Sequence, residues 1–195
     1  MKNLARRLLP AVLAALSGGC ISAVKNPAGD TAQAAADRGL LAEAVVRGWW
    51  PKSALSARRL LEQHGVPDEV RPERLVWDGR GPWKRTVARN VTPPYVQAYD
   101  LGLVEQSVKL TLTPEQAAGL RAFDRRVGYK TRERELAARS DREEVNFLRM
   151  NLAHDVAKGL MTPEQARHLF ERFLALENTG KTSPYLRGLR FTPDP

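Results

Sequence analysis

The sequence predicts an α+β protein: a small antiparallel sheet with packed helices, closed by a C-terminal antiparallel helical hairpin. Three observations carry this. Residues 103–113 alternate apolar and polar side chains, the period of a strand. Two runs rich in β-formers, 73–77 and 83–89, flank the turn sequence Asp78-Gly79-Arg80-Gly81-Pro82. Beyond residue 140, apolar residues recur at helical spacing over two segments joined by a short link. The bulk composition agrees. The chain has 195 residues, 43% hydrophobic and 27% charged, which suits one domain and excludes a disordered, collagen-like or polytopic membrane chain. A single cysteine excludes an internal disulfide framework and any Cys-rich metal site.

Residues 1–19 read as a signal peptide. Lys2, Arg6 and Arg7 open the chain without an acidic partner, Leu8–Leu16 is apolar, and Ser17, Gly18 and Gly19 are small. Nine apolar residues are too few to cross a bilayer as a helix. Cys20 follows directly. This order resembles the lipobox of bacterial lipoproteins, in which the cysteine is lipidated and becomes the mature N-terminus. The match departs from the usual pattern: Leu16 stands four before the cysteine and Ser17 three before. The resemblance implies palmitate on Cys20, a membrane anchor and residence in the cell envelope. Ile21 in place of an Asp leans toward the outer membrane, facing the periplasm. Removing three positive charges from the formal +9 leaves 9 − 3 = +6 on the mature chain. Residues 20–38, rich in Ala and small polar residues, read as a tether whose eighteen residues after the cysteine would span roughly 20–25 Å. The Ala-rich end of that stretch also suits the start of a helix.

The folded domain is expected over residues 39–195, with a mixed lobe at 39–136, the helical hairpin at 137–180 and an extended tail at 181–195. Leu40, Leu41, Ala44 and Val45 form the expected inner face of the first helix, stopped by Trp49-Trp50-Pro51. Ser53 is the expected cap of a second helix ending at His64 and Gly65, with Leu55, Leu60 and Leu61 inward. In the hairpin, a register symmetric about residues 78–82 places Trp77 opposite Trp83. Val104, Val108, Leu110 and Leu112 share one face of the next strand. Thr113-Pro114-Glu115-Gln116 is a helix start, and the same TPEQA string recurs at 162–166 as a good start used twice. Residues 127–136 are expected to form one strand, with Lys130, Arg132 and Arg134 on a common face. Ser140 and Glu143 make the expected capping box of the long C-terminal helix. Val145, Leu148, Leu152 and Val156 line its inner side. Ala166, Leu169, Phe170 and Phe173 line that of its partner. Pro193 and Pro195 argue for a loose end.

Catalytic signatures are sparse. There is no Gly-x-Ser-x-Gly elbow, and Gly180-Lys181-Thr182 lacks the earlier glycine and the preceding strand of a phosphate loop. His154, Asp155 and His168 are the one place where a polar site of unrecognised type is considered; three or four converging ligands would be needed for a metal, and neither a metal nor another cofactor is expected. Enzymatic activity is thus the less favoured reading. Arg121 to Arg142 carries eight basic and four acidic residues, 8 − 4 = +4. Its Lys130, Arg132 and Arg134 are candidate contacts for anionic lipid or glycan. Nucleic acid is not expected of an exported chain. Trp77 and Trp83, with Lys84 and Arg85 beside them, fit either the core of a lobe or a protein interface.

Two further resemblances bear on this. LLEQHGVPDEV at 60–70, RLVW at 74–77, GPWKRT at 81–86 and DREEVNFLRMNLAHDV at 141–156 look like an uncharacterised family of bacterial exported proteins. It supplies no catalytic residues. More loosely, a helix, Gly-x-Pro and a Trp-containing hairpin over 53–89 are similar to SmpA/OmlA-type outer-membrane lipoproteins that assist β-barrel assembly. The expected function is therefore a lipid-anchored envelope protein that works without catalysis, through contact with another envelope protein or the envelope surface. The oligomeric state is not legible.

Overall fold

The strand read at 103–113 is the middle of a larger sheet in the computed structural model, which describes residues 24–25, 31–92 and 102–195. The elements run β1 (Val24–Lys25), α1 (Ala32–Arg47), α2 (Pro51–His64), β2 (Glu69–Arg71), β3 (Arg74–Arg80), β4 (Trp83–Arg89) and β5 (Val104–Lys109). Then follow α3 (Pro114–Ala118), α4 (Leu120–Phe123), β6 (Val127–Lys130), β7 (Glu135–Ser140), α5 (Glu143–Ala157) and α6 (Pro163–Glu177). The seven described strands form one antiparallel sheet in the order β1-β2-β3-β4-β5-β7-β6. This is the α+β architecture expected, and β7 carries the sheet to Ser140, into the stretch assigned to the helical hairpin.

Helices cover one face. α1 and α2 pack on β2, β3 and β4; α5 packs on β5, β6 and β7; α6 lies on α4 and α5 as a third layer. Two adjoining apolar clusters result. Ala42, Val46, Trp49, Leu60, Leu75 and Trp77 belong to the first, and Trp83, Val108, Leu136, Leu148, Leu152 and Ala166 to the second. Trp77 and Trp83 are fully buried, at 0% and 2% exposure. The tryptophans are therefore core, not interface.

Several local expectations are corrected. α1 starts at Ala32 with Thr31 as its cap, so residues 32–38 of the expected tether are helical. Its buried side is Arg38, Ala42 and Val46, at intervals of four. Leu40 is left 72% exposed. α2 starts at Pro51, which needs no partner for a missing N–H and is set for the first helical position. Ser53 is thus inside the helix. Its hydroxyl pairs instead with the backbone of Val91, and Leu55 faces outward. The β3–β4 hairpin turns on Gly81-Pro82 alone, because Arg80 pairs with Trp83 and Trp77 with Thr86. Gly81, at φ 56°, supplies the left-handed backbone that so tight a reversal needs at its first central position. Trp77 and Trp83 are accordingly not cross-strand partners.

The expected strand at 127–136 is a hairpin. Lys130 pairs with Glu135, and Arg134 takes φ 48° to reverse the chain. Lys130, Arg132 and Arg134 therefore do not share a strand face. Ser140 ends β7, and its hydroxyl exchanges hydrogen bonds with the backbone of Arg142, the residue that precedes α5. Glu143 is consequently free to turn inward. The two TPEQ segments behave as read: Thr113 with Gln116, and Thr162 with Gln165, each form a complete capping box. The tail is fastened, not loose. Asn151 donates to the carbonyls of Tyr185 and Gly188 and accepts from the amide of Arg190. Further on, Asp194 accepts from the amide and hydroxyl of Thr111.

Candidate functional site

The helices leave the second face of the sheet open, and its long polar side chains enclose a shallow basin of about 670 Å³. Antiparallel alternation explains the basin. Leu75, Trp77, Thr86, Ala88, Val104 and Gln106 turn to the helices, so Arg74, Val76, Asp78, Arg85, Val87, Glu105 and Ser107 turn away. At the start of β4 the alternation breaks. Trp83 turns inward, and Lys84 and Arg85 both stand exposed on the basin side. Val76 and Val87 lie at its floor, buried beneath the charged side chains.

Charge in the basin is matched. Five cationic residues (Arg74, Lys84, Arg85, Arg89, Lys130) and five acidic ones (Glu69, Asp78, Glu105, Glu133, Glu135) line it. Glu69 receives Arg71 and Arg74, the latter at 2.9 Å. Asp78 holds Arg85 at 2.7 Å. Glu105 binds Arg139 at 2.7 Å and Arg89 at 3.3 Å. Glu135 receives Lys84 closely and Lys130 at 3.5 Å. Burial alone would push Glu69 and Glu135 up. Hydrogen bonds from Arg71 and Arg74 in one case, and from Lys84 and Ser107 in the other, hold both below the ordinary carboxylate range. The hydrogen bond to Asp78 raises Arg85 further. Glu69 and Glu135 therefore act as ionised, fixed acceptors. Within the basin, Ser107 and Lys84 both donate to Glu135, and the dominant feature is paired charge of both signs.

Of the residues singled out in the sequence, Lys84, Arg85 and Lys130 reach this basin, and Trp77 and Trp83 stand behind it in the core. Arg132 and Arg134 sit on the β6–β7 turn. The rest of the basic stretch is dispersed: Arg139 serves Glu105, and Arg142 serves Asp141 and Glu177. Cys20 lies outside the described residues. His154 stacks on Phe191 with ring centroids 4.4 Å apart, and Asp155 accepts from the Tyr185 hydroxyl at 2.7 Å. Those two side chains hold the tail; His168 is exposed on α6 and takes no part in that network. No cluster of three metal-ligating side chains occurs among the described residues.

The sequence reading missed one polar centre. Glu143 lies buried under the sheet, with Oε2 2.8 Å from His64 Nε2 and Oε1 accepting from Trp83 Nε1 at 2.8 Å. Burial would raise its pKa, and the bonds from His64 and Trp83 outweigh that and lower it. Asn146 donates to Gln106 and Val104, and Gln106 donates to Thr86, extending the polar layer across the sheet. Both oxygens of Glu143 are engaged, so the group ties α2, β4 and α5 together. A cleft of about 480 Å³ opens beside it, between the first turn of α5 and residues 180–187. The signal was weak in the sequence: His64 and Glu143 are 79 residues apart, and Glu143 had a plausible capping role.

Comparison with protein-family models, curated proteins and solved structures gives no match. Among the described residues, no helix is long and apolar enough to cross a membrane.

Proposed function

We propose that this chain is a lipid-anchored protein of the cell envelope that works by contact and not by catalysis, with the open face of its sheet as the contact surface. The observation that carries this is the basin itself: ten charged residues, matched in sign, on a sheet face that no described helix covers. Glu143 and Asn151, polar groups away from the basin, are engaged in holding structure. Paired charges give little stability at a surface, where each bridge contributes about 0–1 kcal/mol. They give specificity, because a partner must match both signs in register. The proposed partner is another envelope protein. The anchor is Cys20, through the signal-like segment before it, with residence at the outer membrane.

The test has two parts. Palmitate labelling of the native protein beside Cys20→Ala reads the anchor: label lost with Cys20 supports it, and no label on either removes it. A photo-crosslinker at Arg85, on the basin, is then compared with one at Arg172, on α6. A discrete adduct from position 85 and none from 172 is the expected result. Adducts from neither position, or the same adducts from both, would overturn the basin as the contact surface.

A further inference from the structure

Acceptors run short at one end of the basin. Arg71, Arg74 and Arg89 stand directly opposite one another on β2, β3 and β4. All three lie on the open side of the sheet, because their neighbours Val70, Leu75 and Ala88 are buried under the helices. Side chains so placed have Cβ atoms about 4.5–5.5 Å apart, and like charges in that position repel. The chain does little to relieve them. Arg71 Nε and Arg74 Nη2 both donate to one oxygen, Glu69 Oε1. Arg89 reaches Glu105 Oε2 at 3.3 Å, and Arg139 takes that same oxygen at 2.7 Å. Arg74 Nε is buried with no acceptor. Four guanidiniums thus share two carboxylate oxygens. Glu73 stands exposed in the turn between β2 and β3, and with its charge counted the group still keeps one positive charge in excess. At the far end of the basin, Lys84 and Lys130 meet Glu133 and Glu135, two against two.

We infer that the Arg74–Arg89 pair receives a carboxylate of the partner protein, an acidic side chain laid between the two guanidinium forks. The inference rests on the basin as the contact surface, as proposed above. A carboxylate has two oxygens, and each can accept from one fork. It carries one charge, which is the size of the excess. A phosphate group, with about 1.5–2 charges, would be repelled by Glu69 and Glu105 on either side. Val76 and Val87, the next opposed pair on the same side, give a floor for the apolar stem of the incoming side chain.

The experiment uses the full chain with its arginines labelled by the heavy nitrogen isotope, and follows their Nε–H signals by NMR. Arg→Lys substitutions assign the signals. The probe is a single glutamate capped as an acetylated amide, run beside capped glutamine and inorganic phosphate. The glutamate probe is expected to shift the Arg74 and Arg89 signals saturably, and glutamine to shift neither. Arg89→Lys keeps the charge and loses the fork, so binding followed at Arg74 should weaken at least about threefold. No shift, a shift spread evenly to Arg80 and Arg85, or tighter binding of phosphate than of glutamate overturns the inference.

The crosslinker at position 85 then separates this inference from the reading beneath it. Arg89→Glu should abolish its adduct. An adduct kept in that variant overturns the carboxylate contact and leaves the basin as the contact surface. No adduct in the chain with Arg89 intact removes the contact surface and the partner with it, and the titration separately decides whether the pair takes a carboxylate.

Discussion

Replacing Glu143 by Ala tests the polar centre that joins three elements. The carboxylate accepts from Trp83 Nε1 and meets His64 Nε2, both at 2.8 Å, and the side chains of His64 and Glu143 are only 8% and 10% exposed. Truncation leaves the Trp83 N–H buried without an acceptor, a penalty of about 1–3 kcal/mol. It also strips His64 of its partner. Together the loss is expected at about 3–5 kcal/mol, the range for breaking a buried pair from one side. For a domain of this length each kcal/mol moves Tm by about 2–4 °C, so the midpoint should fall by roughly 6–20 °C. The assay is thermal unfolding followed by circular dichroism, with Glu144→Ala as the neighbouring control. That control removes little beyond a favourable charge in the first helical turn, under about 1 kcal/mol. In a Trp83→Phe background the cost of Glu143→Ala should shrink by about 1–2 kcal/mol. A fall below about 2 °C, or an unchanged cost in that background, would refute the account of Glu143 as a three-way tie.

Other outcomes follow from the same structure. Glu69, Glu135 and Glu143 all titrate below the ordinary carboxylate range. Their stabilisation is present above the unfolded value of about 4.3 and is lost as pH falls through the lowered folded values. Urea midpoints should therefore drop below that pH, less steeply for Glu143→Gln; an equal slope in that variant would contradict the assignment. Arg134 holds φ 48°, so Arg134→Gly should raise stability by about 0.5–1 kcal/mol, and a loss in urea titration would contradict the turn described. Asn151→Ala should speed hydrogen exchange of the Arg190 amide at least about tenfold, equivalent to ~1.4 kcal/mol of local protection; unchanged exchange would show that the tail is held by other contacts.

Short-range rules gave the architecture. Alternation located β5, and Thr-Pro-x-Gln located two helix starts with their capping boxes. What escaped depended on backbone detail or on distant partners. The β6–β7 reversal was hidden because Arg134, not glycine, takes the left-handed conformation. Without that reversal the basic residues appeared to share a strip. The helix face of α1 was misread because its buried positions include Arg38, whose guanidinium donates to the carbonyl of Pro67. The basin is half legible in the sequence: the face of β5 opposite Val104 and Val108 is the one that carries Glu105, Ser107 and Lys109. Which residues of β2, β3 and β7 stand beside them is set by sheet order, and β7 lying between β5 and β6 has no local signal.

The clasp on the tail also sets a schedule. Thr111 is met by Asp194, 83 residues later, and Lys109 by the carbonyl of Pro195, 86 residues later. Closing a loop of that size is slow relative to forming hairpins and helices near in sequence. The second apolar cluster includes Leu186 and packs against Phe191, so it cannot seal until those residues arrive. A chain made from its N-terminus onward thus keeps this layer open until residues 186–194 have joined it, while the first cluster, drawn from residues 42–104, can close without them.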